Sequence, residues 1–116
     1  MRMPPKFDEK KQDERLNELR AREEEELAQM LAGKYGVEYA DLTDNSIDTD
    51  ALRLISEQEA RAAEIAPFHK QNKLVFVGMR APERADSLEL LQKIERLGYQ
   101  TRRFIVSKAS LERTWE

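Results

Sequence analysis

Four arginines, Arg80, Arg84, Arg102 and Arg103, are the side chains best suited to hold a ligand, because guanidinium forks match phosphate and carboxylate oxygens. They could converge on an anion near the carboxyl ends of a sheet. Arg102 and Arg103, however, are neighbours on an expected strand and must face opposite sides of it. A solvated sheet face is therefore the expectation for the four. His69 is the single histidine, which rules out a histidine-rich metal site and a two-histidine relay; a surface or half-buried structural role is expected for it. Asp41, Asp44, Asp48 and Asp50 alternate like a cation loop, but Leu42 and Ile47 interrupt the pattern and no distal bidentate glutamate follows.

There is no cysteine, so disulfides and thiolate metal sites are excluded. Gly33, Gly36, Gly78 and Gly98 are scattered and form no phosphate-cradling loop, and no nucleophile-elbow serine occurs. Trp115 and Tyr99 read as packing residues. These residues assemble no catalytic set, no cofactor site and no metal site, and the expectation is a domain without an active site of its own.

The chain has 116 residues, enough for one core. Its 37% charged residues are unevenly placed. Residues 1–26 form a charged helical arm broken mainly by Phe7, Leu16, Leu19 and Ala21, whereas 27–116 has the apolar density of a folded domain. The first 50 residues hold 8 basic and 14 acidic side chains, the remainder 12 and 9. A net charge of −3 and so weak a basic excess do not suggest nucleic acid as a partner. The longest apolar run, Leu74–Met79, is far short of the roughly 20 residues that span a bilayer, so direct membrane insertion is not expected. A soluble, cytoplasmic protein is the expectation.

Pro4-Pro5 delays the first helix to about Phe7, and the helical pattern continues to Gly33 or Gly36. Val37 to Leu42 reads as a short extended crossing segment. Asp48 or Thr49 can cap a short helix over Asp50–Ile55, and Ser56 with Glu59 makes a capping box for a second one. Ala66–Lys70 and Leu74–Met79 read as an antiparallel strand pair, Pro67 marking the first as an edge strand or a strand start. Asp86 is a plausible cap for a helix over Ser87–Leu97, with Leu90, Leu91, Ile94 and Leu97 on one face. Tyr99–Val106 is a third strand, and Ser107 or Ser110 opens a last helical turn. The lengths fit a right-handed βαβ crossover. The fold class expected is α+β: N-terminal helices packed on a small three-stranded mixed sheet.

Laid out in order, 27–116 resembles a known family. Leu27-Ala28, Leu31-Ala32, Gly36-Val37, Tyr39 and Asp41-Leu42 stand at the spacing that opens the N-terminal domain of type II secretion and type IV pilus assembly ATPases. Ile47-Asp48 with Ala51-Leu52, Leu54-Ile55, then Glu59, Ala66-Pro67-Phe68, Leu74-Val75, Ala81-Pro82 and Gly98-Tyr99 continue it in order. The resemblance implies a non-catalytic interaction domain that docks a hexameric motor to its inner-membrane platform or a cytoplasmic adaptor. The chain would then lie at the inner membrane only through these partners, with the parent ATPase motor domain expected beyond Glu116.

Some relatives of this kind bind cyclic di-GMP through an Arg-Leu-Gly motif. Arg15-Leu16-Asn17 lacks that glycine and no second copy exists, so cyclic di-GMP is expected to be an unlikely partner. Nucleotide sensing remains the alternative function, with Arg15, Arg20 or the arginines of 80–103 as its groups.

Overall fold

The computed structural model describes residues 5–43 and 47–115, with side chains described from Glu18 onward. Five helices and four strands alternate along it: α1 (Pro5–Tyr35), β1 (Glu38–Tyr39), α2 (Thr49–Leu52), α3 (Glu57–Ala63), β2 (Ile65–Gln71), β3 (Leu74–Met79), α4 (Ala85–Arg96), β4 (Gln100–Ile105) and α5 (Lys108–Thr114). The strands form one mixed sheet in the order β1-β4-β3-β2, with only the β2–β3 pair antiparallel. The α+β class and the βαβ unit β3-α4-β4 are as expected, but the sheet has four strands, not three. The additional strand is the segment read as a crossing. Glu38 and Tyr39 pair in parallel with Phe104 and Ile105, and the Ala40 N–H extends the pairing to the Ile105 carbonyl at 3.0 Å.

Each element has a local cause. Helix α1 starts at Pro5 rather than Phe7, because proline is tolerated in a first helical turn whose N–H has no intrahelical acceptor. It ends where Gly36 takes φ +68°, a left-handed value that a Cβ would strain. Ser56 and Glu59 close both halves of the capping box. The expected cap of α4 is different: Arg84 occupies the cap position, while the Asp86 carboxylate accepts from the Ser87 N–H at 2.9 Å and pairs with Arg84 Nε at 2.7 Å. Strand β2 carries a bulge between Pro67 and His69, so Phe68 and His69 both meet the ring of Phe76, at centroid distances of 6.1 and 5.1 Å.

Both faces of the sheet are covered. Against one, α1 (Ala28, Ala32), α3 (Ala60, Ala63) and α4 (Leu90, Leu91, Ile94) bury Ile65, Val75, Val77, Met79 and Ile105. Against the other, Leu42 and Leu111 pack on Ala66, Phe68 and Val106. Tyr39 ties α1 to β1 by donating its hydroxyl to Glu25; burial first, and then this bond to a carboxylate, push its pKa above the ordinary tyrosine value. The free edge of β2 is protected by Asp48, whose N–H donates to the Phe68 carbonyl at 2.9 Å.

Helices α3 and α4 are joined by an ion pair, Lys93 Nζ to Glu59 Oε1 at 3.0 Å. This bond first, and the Ser56 hydroxyl second, hold the Glu59 carboxyl below its ordinary pKa. A depressed carboxyl pKa contributes stability above the unfolded-state value of about 4.3 and loses it as pH falls through the folded value. Thermal melts of Lys93→Met and the parent chain should therefore differ at neutral pH and converge as the pH drops below about 4. A gap that stays constant into acid would show that Lys93 acts through packing alone.

A cleft at the carboxyl ends of the parallel strands

The four arginines do not converge. Arg102 lies over Phe76 and Phe104, at 5.9 and 5.6 Å from their centroids, and pairs with Glu38. Arg103, next to it, opposes Val77 in the sheet register and so lies on the other face. Arg84 is committed to Glu64 at 2.8 Å and to the Ala62 carbonyl at 2.9 Å. Arg80 is different: its pair with Glu64 is long, 3.9 Å.

Arg80 follows the last residue of β3 and Ser107 lies just past β4, so both stand at the carboxyl ends of adjacent parallel strands. Ligands of α/β sheets are bound there because loops and side chains converge beyond the strand ends. Helix α1 crosses this edge. Glu24, Leu27, Ala28 and Leu31 from the helix, with Arg80, Ser107 and Lys108 from the sheet side, line a cleft of about 190 Å³. Lys108 is paired only at the distance limit, 4.0 Å to Glu112. The cleft thus has two loosely engaged cations, one carboxylate and an apolar wall. Cations suit phosphate oxygens. The Glu24 carboxylate can accept from N–H donors such as those on the edge of guanine, and the leucines suit the face of a base. A second groove, between α3 and α4, is lined by Glu59, Asp86 and Glu89 and would repel an anion.

Other sequence candidates have structural partners. Asp48 caps α2, its Oδ1 accepting from the Asp50 N–H at 3.0 Å and its Oδ2 from the Lys70 N–H at 3.2 Å. Asp41 accepts from the Thr43 N–H at 2.9 Å, and Asp44 lies outside the described residues. Among the described residues no group of three or more acidic, histidine or cysteine side chains could hold a metal ion. His69 is half-buried on Phe76, and Trp115 sits under the Arg61 guanidinium at 5.1 Å. The side chain of Arg15 lies outside the described set. Sequence reading missed Glu24 and Lys108 because the cleft joins positions 24, 80 and 108. The available signal was the pair of cations, Arg80 and Lys108, just beyond two strands expected to be parallel.

A mixed sheet flanked by helices, with a charged cleft at its carboxyl edge, defines a small α+β domain. The MshEN domain model matches residues 35–116, and the chain belongs to that family, the N-terminal domain of secretion and pilus ATPases. The fold is also that of a solved structure of MshE with cdg, cyclic di-GMP, at 22% sequence identity and a TM-score of 0.66; the match covers 75% of this chain and 62% of that one. No curated protein matches.

The expectation that set cyclic di-GMP aside is thereby corrected, since a chain of the same fold has been solved with that ligand. The physical reason is that Arg15-Leu16-Asn17 tests one recognition motif only, whereas a binding surface can be assembled from residues far apart in sequence. The part matched by the family is not an ATPase motor domain. Among the described residues no helix is long and apolar enough to cross a membrane.

Proposed function

We propose that this chain is a regulatory domain of a pilus or secretion ATPase that senses cyclic di-GMP. The observation that carries this reading is the cleft at the carboxyl ends of β3 and β4, where Arg80 and Lys108 face the apolar wall of α1. In this reading the two cations take a phosphate, Glu24 accepts from the guanine N–H groups, and Leu31 covers the base. A cleft of about 190 Å³ is below the roughly 300–1,000 Å³ typical of sites that enclose a ligand. It therefore holds one half of the dinucleotide and leaves the other exposed. The solved MshE structure with cdg supports this choice of ligand.

Calorimetric titration of the 116-residue chain with cyclic di-GMP should give saturable heat in the micromolar range. Arg80→Ala combined with Lys108→Ala should lower affinity by at least about tenfold, the loss expected for a charge-assisted contact. Glu24→Gln should reduce the preference for guanine over adenine dinucleotides. A flat trace with the folded parent chain removes the proposal.

Docking to a platform or adaptor is the second reading, favoured by the aromatic sheet face. Phe76 and Phe104 are half-buried at 5.4 Å from each other, with Arg102 above them. Arginine on an aromatic pair is the composition of protein-interface hot spots. Loss of platform or adaptor capture in Arg102→Ala, with cyclic di-GMP titration unchanged, would separate this role from sensing.

A further inference from the structure

Helix α1 presents two apolar faces, and the domain covers only one. Ala28 and Ala32 are buried in the core, with Leu31 and Tyr35 partly buried beside them. Turned away from these, with Leu27 at the rim of the cleft, Leu19, Leu27 and Met30 are 49%, 50% and 71% exposed. At 100° per residue these three and Leu16 fall within one stripe about 80° wide, with Glu23 at its centre. The helix is about 46 Å long, its main described tertiary contacts are with β1, β4 and α5, and the molecule extends 68 Å along its longest axis against 29 and 23 Å across. Large apolar side chains left in water along one stripe forgo the burial energy that a covering surface would return.

The sequence around Glu23 identifies that surface. Leu16 and Met30 are both seven residues from Glu23, and Leu19 and Leu27 both four. The stripe's apolar positions are thus symmetric about Glu23, while the charges within three residues of it are antisymmetric: Arg20 and Arg22 precede it, Glu24, Glu25 and Glu26 follow it. We propose that the stripe pairs with α1 of a second copy of this chain, antiparallel, with the two-fold axis at Glu23. In that register position 16 is level with the partner helix's position 30, Leu19 packs beside its Leu27 position, and the basic segment 20–22 lies across from the acidic segment 24–26. A parallel pair would instead set like charges side by side. The globular parts sit on the outer sides of the helix pair, because Ala28 and Ala32 face away from the stripe. A contact made by two helical stripes is in the small interface class, so a micromolar dimer is expected.

Sedimentation of the full 116-residue chain over a wide concentration range should show a monomer–dimer equilibrium. Leu19→Lys with Met30→Lys should give a monomer whose domain still unfolds cooperatively, with a melting temperature that no longer rises with protein concentration; neither residue has a core role. Glu23→Leu removes two facing carboxylates from the axis and should tighten the dimer at least about tenfold. Arg20→Glu with Arg22→Glu should weaken it, and adding Glu24→Arg with Glu26→Arg should restore it. The chain has no cysteine, so Glu23→Cys should oxidise to a linked dimer, whereas Leu19→Cys should not, its two copies lying about 12 Å apart along the axis. A chain that is monomeric at millimolar concentration overturns the proposal and leaves the stripe to a different protein. Efficient linkage through Leu19→Cys overturns the antiparallel arrangement.

Discussion

Gly78→Val should destabilise the domain by about 1–3 kcal/mol, the range for overpacking a core that cannot relax. Gly78 is on β3 opposite Ala66 of β2 and Phe104 of β4, on the sheet face packed by Leu42 and Leu111. A Cβ at this position would stand 2.9 and 3.1 Å from the two γ-carbons of Val106 and 3.5 Å from Leu42 Cδ1. Val106 and Leu42 are fully buried, so neither has free space to move into. The glycine is required here by the approach of Val106, not by backbone conformation.

The cause can be isolated with Gly78→Ala and Val106→Ala, measured singly and together by urea unfolding. The double variant should lose less than the sum of the singles, because the alanine methyl occupies space vacated by the valine. Strict additivity would show that Gly78 acts through strand propensity and not through this contact.

The parts of the fold that could be read in the sequence are those whose signal is local. Leu74–Met79 is a continuous apolar run and forms the strand flanked on both sides. Ser56 and Glu59 carry their capping geometry in two residue types at fixed spacing. Other features have no local signal. Strand β1 is two residues long, and its identity comes from pairing with β4, more than sixty residues later. Asp86 has the residue type and spacing of a cap, yet the Arg84 guanidinium competes for its carboxylate. The arginines are a similar case: composition shows four cations near the sheet, but tertiary partners decide which are free. Glu64 and Ala62 engage Arg84, Glu38 engages Arg102, and Arg80 reaches the cleft only because α1 crosses the ends of β3 and β4.

The last helical pattern shows how a correct period can still misplace a residue, and it carries the second large prediction. Leu90, Leu91, Ile94 and Leu97 share a face by spacing, but α4 ends at Arg96 and Leu97 is its cap residue, 55% exposed. Ile94 is fully buried among Ile65, Val75, Val77 and Ile105. Ile94→Ala should therefore cost about 2–5 kcal/mol, combining lost transfer energy with a cavity beneath a sheet that cannot close it.

Leu97→Ala should fall within about 0.5 kcal/mol of the parent, as substitutions on open surface do. Both follow from urea unfolding at one pH, read from the midpoints with the slope unchanged. With a total stability of about 5–15 kcal/mol for a domain of this kind, Ile94→Ala alone removes a large fraction of it. If the two variants cost the same, the packing of α4 on the sheet differs from the arrangement in which Ile94 fills the core and Leu97 lies past the helix end.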